Sequence, residues 1–149
     1  LHCVSVYPNP TVMCNLSRMD FLREFTPSIG WSDHTHVPTD GVNAAKVASY
    51  LGATFIERHF TILGPEESKD GPVSITPKHL KELSEFVRLN REEQKKILDK
   101  EVPHWQEMIG SKERELTHKE ALTMDYMRGR FGSKKGDSWV YNWEETDIT

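Results

Sequence analysis

Three short apolar runs, each breaking off into polar and ionisable residues and then into an amphipathic segment, constrain the fold of this chain more than anything else in it. They are Leu1 to Val6, Pro27 to Trp31, and Ala53 to Ile56. Near-continuous apolar runs of this length, bounded by loop residues, are how parallel strands covered on both faces read. Parallel strands in turn require a long crossover between neighbours, usually a helix. Strands are predicted at residues 1–6, 29–32 and 54–57.

The segments between the strands supply the crossovers. Tyr7-Pro8-Asn9-Pro10 ends the first strand with two prolines that neither a helix nor a central strand tolerates. Ser17 then reads as the cap of a helix through Phe25, with Asp20 completing a capping box and Leu16, Met19, Leu22 and Phe25 as its apolar face; Pro27 ends it. Thr39 or Asp40 caps a second helix whose Val42, Ala45, Ala48 and Leu51 face a core, and Gly52 is its stop. After the long loop Thr61 to Ile75, Thr76-Pro77 opens a third helix with Leu80, Leu83 and Val87 as its inner stripe.

The result is a series of right-handed βα units, an α/β fold. Barrels and doubly wound sheets both place their sites at the carboxyl ends of parallel strands, so the pattern fits either. Three strands cannot close an eight-stranded barrel, which takes about 250 residues.

From Arg91 onward the character changes. Residues 91–101 are highly charged, Thr117-His118-Lys119-Glu120 is a second capping box, and the remainder mixes Gly, Arg, Trp and Tyr. The sequence therefore divides into a βα part over residues 1–92 and a helical or irregular extension over 93–149. Trp139, Tyr141 and Trp143, spaced by two, suit a short amphipathic strand on the outside of the βα part better than a ligand cage.

Composition excludes several classes. The 149 residues are 36% hydrophobic and 28% charged with a formal net charge of −4, a globular composition without the basic footprint that a nucleic-acid or anionic-membrane surface needs. No window approaches the roughly 18 apolar residues of a membrane span. Cys3 and Cys14 are too few for a disulfide framework or a four-cysteine zinc site, which points to a reducing cytoplasm. The opening Leu1-His2-Cys3 has neither an initiator Met nor a secretion signal and starts in mid-strand, so the chain reads as a piece of something longer.

The chemistry is concentrated at the strand ends. His34, in Gly-Trp-Ser-Asp-His-Thr, and His59, in Phe-Ile-Glu-Arg-His-Phe-Thr, close the second and third strands, and Glu57 leaves its strand on the same face as His59. A single histidine in such a place is more often a hydrogen-bonded structural residue, and a pair remains ambiguous without a third ligand. Two imidazoles completed by waters and a substrate oxygen would suit Mn²⁺, Fe²⁺, Co²⁺ or Zn²⁺. Ser5, Tyr7 and Ser32 lie at or just past strand ends, where a hydroxyl either caps a loop or donates to a phosphate or sugar. Asp70, in Lys69-Asp70-Gly71-Pro72, reads first as a turn residue. Arg128-Gly129-Arg130-Phe131 reads as an exposed basic turn or an anion contact.

Four blocks carry a resemblance. Leu1-His2-Cys3-Val4-Ser5-Val6-Tyr7-Pro8, Gly30-Trp31-Ser32-Asp33-His34-Thr35, Leu51 to Thr61 with its Glu57-Arg58-His59-Phe60 core, and Asp70 to Ser74 before Pro77 resemble, in that order, the last three βα units of the sialic acid synthase family. This family makes N-acetylneuraminic, legionaminic, pseudaminic and similar nine-carbon acids. Residues past about 110 do not resemble the antifreeze-like domain that usually follows its barrel.

The resemblance implies a TIM barrel, incomplete in this chain, that condenses phosphoenolpyruvate with an N-acetylated amino sugar such as N-acetylmannosamine and releases phosphate. It also implies a divalent metal, most often Mn²⁺, held by His34 and His59. Ser32 and Ser5 would then touch phosphoenolpyruvate, although many members have Asn at the position of Ser5. Tyr7 and Asp70 would hold sugar hydroxyls, and Glu57 would orient a metal-bound water. The lysines that neutralise phosphoenolpyruvate lie on earlier strands in the family, so this chain alone is expected to turn over little or nothing. Arg128 or Arg130 is a candidate replacement for the arginine that the antifreeze-like domain ordinarily lends to a partner's sugar site.

A homo-oligomer, in the simplest case a dimer, or association with the rest of the barrel is expected from the apolar edge such a segment leaves open. The competing reading from a different class is a non-catalytic barrel segment acting as a structural or oligomerising module. A metal-dependent hydrolase would need more His or Asp ligands than these loops hold.

Overall fold

A computed structural model of the chain describes residues 1–127 and 132–141. It contains two compact units, Leu1–Glu115 and Leu116–Thr149. The first is built on a parallel sheet of four strands in the order β1-β2-β3-β4: β1 His2–Cys3, β2 Gly30–Asp33, β3 Phe55–Phe60 and β4 Ser74–Ile75. Between and after them come α1 (Arg18–Leu22), α2 (Val37–Asp40), α3 (Asn43–Tyr50), α4 (Pro77–Phe86) and α5 (Arg91–Glu101).

The three sequence-predicted strands are present, and β4 adds a fourth, a two-residue stub on the upper end of β3 with His59 opposite Ser74. The first is shorter than its apolar run. Past Cys3 the chain folds back on itself, the Val6 amide donating to the Val4 carbonyl at 2.8 Å, and it rejoins the sheet only through the Asn9–Thr35 bridge.

The core lies between one face of the sheet and the helices. Val4, Val6, Leu16, Met19, Ile29, Trp31, Ala44, Val47, Ala48 and Phe86 form its main cluster, and Ile56 joins it to a smaller one made of Val37, Val42, Ala45, Ile75 and Leu83. Because side chains alternate along a strand, burying Trp31 and Ile56 on the helix side sends Ser32 and Glu57 to the opposite face. Gly30 is required at the strand entrance: a Cβ there would meet the Phe55 carbonyl oxygen at 2.8 Å and Leu1 Cδ2 at 2.2 Å.

The helices follow the sequence with particular exceptions. Thr76 forms a capping box, but with His79 as its partner, and Gly52 ends α3's region at φ +90°. Ser17 makes no side-chain cap; Asp20 pairs instead with Arg23, and α1 stops at Leu22 with Phe25 72% exposed. Neither Thr39 nor Asp40 caps α3, because both are taken into α2, and a turn through Gly41 and Val42 intervenes. In α4, Leu83 and Phe86 are buried while Leu80 and Val87 are exposed.

The division expected at residue 92 falls instead between Glu115 and Leu116. The charged helix α5 keeps one buried side, with Leu98, Val102, Trp105 and Met108 packed into the same core as Trp31, so residues 93–115 belong to the βα unit. In the second unit the Thr117/Glu120 capping box forms at the start of α6 (His118–Met127), and β5 (Gly132–Lys135) pairs antiparallel with β6 (Ser138–Tyr141). Trp139 and Tyr141 lie in β6; Arg128, Arg130 and Trp143 lie outside the described residues. Among the described residues, no helix is long and apolar enough to cross a membrane.

Candidate active site

The register of β2 and β3 builds the site. Ser32 stands opposite Glu57 and Asp33 opposite Arg58, so the residues that follow, His34 and His59, emerge side by side at the carboxyl ends of adjacent strands. Their ring centroids are 5.3 Å apart with the planes at 66°. Beneath them the Arg58 guanidinium pairs with the Asp33 carboxylate, both side chains almost wholly buried. Arg58 also donates to Thr35 Oγ1 at 2.9 Å and to the Thr35 carbonyl at 3.0 Å, and Asp33 Oδ1 accepts from the Thr35 amide and hydroxyl at 2.9 and 2.8 Å. This pair ties the ends of the two strands that carry the histidines.

The other sequence-predicted residues gather around the rings. Tyr7 packs on His34 with 4.0 Å between ring centroids and meets His59 edge-on at 6.1 Å. The Asp70 carboxylate lies 3.7 Å from His59 Nδ1, so the residue read first as part of a turn faces the site. Ser32 Oγ donates to Glu57 Oε1 at 2.7 Å, joining two residues to which the resemblance gives separate roles. Ser5 is half-buried.

Two contributors escaped the sequence reading. Cys3, treated there only as a marker of redox compartment, sits opposite Ser32 in register, with its sulfur 3.6 Å from His34 Nδ1. The other is the Asp33–Arg58 pair, each member of which precedes a histidine in the chain. Strand alternation is the signal for the first, since Cys3 shares a face with Ser5. The second could not be found without the register.

The electrostatics favour neutral imidazole. Burial, then the neighbouring His59, holds His34 below the ordinary histidine value, so its lone pair is free near neutral pH. Burial likewise pushes the Tyr7 phenol up and keeps it protonated, able to donate. The donor set fits a borderline divalent cation: two imidazoles on one face with a carboxylate beside one of them. No group of three or more His, Cys, Asp or Glu arranged to hold a metal occurs among the described residues, so a cation held here would keep open positions.

Hydroxyls, carboxylates and paired histidines at the carboxyl ends of parallel strands stand where α/β enzymes, barrel or doubly wound, place their active sites. Residues 1–98 match the NeuB family, and the chain belongs to that family. It is 36% identical over 113 residues to the spore coat polysaccharide biosynthesis protein SpsE of Bacillus subtilis, covering 74% of this chain and 29% of that protein. To the N,N'-diacetyllegionaminic acid synthase of Campylobacter jejuni it is 37% identical over 89 residues, 59% of this chain and 25% of the synthase.

Among solved structures, the SpsE crystal structure matches with a TM-score of 0.66 at 26% identity over 93% of this chain and 40% of that one. The N-acetylneuraminic acid synthetase of Leptospira borgpetersenii, solved with citrate, matches with a TM-score of 0.52 at 28% identity, over 85% and 38% of the two chains. The chain therefore spans well under half the length of these relatives, and its fold is that of the corresponding part of these TIM-barrel proteins.

Proposed function

We propose that this chain carries the metal-binding and sugar-binding end of a synthase that joins phosphoenolpyruvate to an N-acetylated amino sugar, giving a nine-carbon 2-keto acid and phosphate. The observation that carries the reading is the convergence of His34, His59, Tyr7 and Asp70 at adjoining strand tips in a NeuB-family fold.

In this reading C3 of the enol attacks the open-chain sugar's aldehyde carbon, water adds at C2, and the C2–O–phosphate linkage is lost as phosphate leaves. His34 and His59 would hold a divalent cation, Mn²⁺ by family resemblance, which when bound supplies Lewis-acid polarisation of the sugar carbonyl. The chain's own residues do the rest. Tyr7 donates to a sugar hydroxyl and Asp70 accepts from one, so the acceptor is fixed before the enol reaches it. Ser32 donates toward phosphoenolpyruvate when its hydroxyl turns from Glu57, and Ser5 offers a second hydroxyl beside it. Glu57, released from Ser32, is the base available on this face to orient and deprotonate water. Arg58 is committed to Asp33 on the far side of the strand, so cations for the phosphate must come from elsewhere.

The test transplants residues 1–98 into the Campylobacter jejuni legionaminic acid synthase in place of its matching segment. Acid formation should survive in the chimera and disappear with His59→Ala. A chimera with native circular dichroism and no turnover overturns the proposal.

A further inference from the structure

The direction of the contact between Cys3 and His34 is set by the tautomer of the ring. A neutral imidazole has one N–H and one lone pair, and which nitrogen keeps the lone pair is set by the bond the other makes. The Cys3 sulfur lies 3.6 Å from Nδ1 of His34, within the reach of a hydrogen bond to sulfur. At His59 the Asp70 carboxylate lies 3.7 Å from the same ring position, Nδ1. Each imidazole thus has a protein group at Nδ1, which makes Nε2 the nitrogen each can offer to a cation. Tyr7 packs against the His34 ring, with centroids 4.0 Å apart and planes tilted by 36°. The carboxylate is a strong acceptor; the sulfur is a weak one, and it is fixed by strand pairing, Cys3 opposite Ser32.

We propose that Cys3 is a positioning residue for His34: its sulfur accepts the Nδ1–H of the imidazole, fixing the tautomer that presents the Nε2 lone pair to the divalent cation. The inference rests on the cation reading above, and the experiment separates the two. The full chain, labelled with ¹⁵N and free of metal, is examined by two-bond ¹H–¹⁵N correlation at pH 8, and its Mn²⁺ affinity is measured in parallel by electron paramagnetic resonance. In the parent protein the His34 proton sits on Nδ1. Cys3→Ala, which removes the acceptor, moves it toward Nε2 and weakens Mn²⁺ binding about 10- to 100-fold. Cys3→Ser, which keeps an acceptor on a shorter bond, stays closer to the parent than to Cys3→Ala in both measurements.

A parent His34 protonated on Nε2, a tautomer unmoved by Cys3→Ala, or Mn²⁺ affinity unchanged while the tautomer moves overturns the proposal. If the tautomer moves as stated while the parent binds no Mn²⁺, the cation reading fails and the Cys3–His34 bond stands.

Discussion

At the scale of single residues, burial holds two histidines neutral, one of them, His34, in the site. His2, whose Nε2 lies 2.7 Å from the Cys14 carbonyl, is held below the usual histidine value by burial, as is His34. The sign follows from linkage. Above about pH 6.5 both are neutral folded or unfolded and stability is unaffected; as pH falls through 6.5 and then through the lower native values, the unfolded chain takes up protons the folded chain resists. The urea midpoint should therefore drop between pH 7.5 and 5.0, and less so in His2→Gln. A midpoint independent of pH would contradict the burial of these rings. Cys14, fully buried with its thiol pushed far up by burial, should resist alkylation at pH 8 until the chain unfolds, while exposed Cys3 reacts. The histidines were legible in the sequence because a strand's apolar run broke off at each. Cys3 was legible only through its alternation with Ser5, because its thiol sits inside an apolar run rather than at the end of one.

Among the elements, β2 and β3 do the most, and the ion pair between them is what the sequence could not reveal. Asp33 and Arg58 each lie next to a histidine, yet only the parallel register brings them opposite each other. Arg58→Met leaves the buried Asp33 carboxylate without its partner and should cost about 3–5 kcal/mol, with Asp33→Leu/Arg58→Met together recovering much of it. Denaturant titration of the two variants checks this; equal losses in single and double variants would mean the pair contributes by shape alone. The helices show the same limit. Gly52 and Thr76-Pro77 act through local backbone chemistry and were readable. The Ser17/Asp20 box failed because Arg23 was near enough to claim Asp20, and Leu80 and Val87 are exposed because α4's apolar side is wider than the surface it covers.

For the βα unit as a whole, the sheet is open. Phe55 to Arg58 of β3 pair on one side only, and Leu1, Phe55, Phe60, Ile62 and Leu63 are exposed. An unpaired parallel edge beside exposed apolar side chains favours association. The chain alone should run above monomer mass in light scattering, increasingly so with concentration; a monomer at every concentration would contradict this. With Arg58 committed to Asp33, the chain alone should also release phosphate from phosphoenolpyruvate and N-acetylmannosamine at background rate, and brisk turnover would show that the phosphate finds its cations within these residues. The fold class and family were readable because they rest on pattern and block order; the reach of the core to Met108 was not, because α5 buries only one narrow side.

The central claim is that His34 and His59 form one cation site, and Mn²⁺ binding to the purified chain followed by electron paramagnetic resonance tests it most directly. One Mn²⁺ per chain is expected, with affinity lowered more than about 100-fold by either His34→Ala or His59→Ala. Binding unaltered in both variants would contradict it.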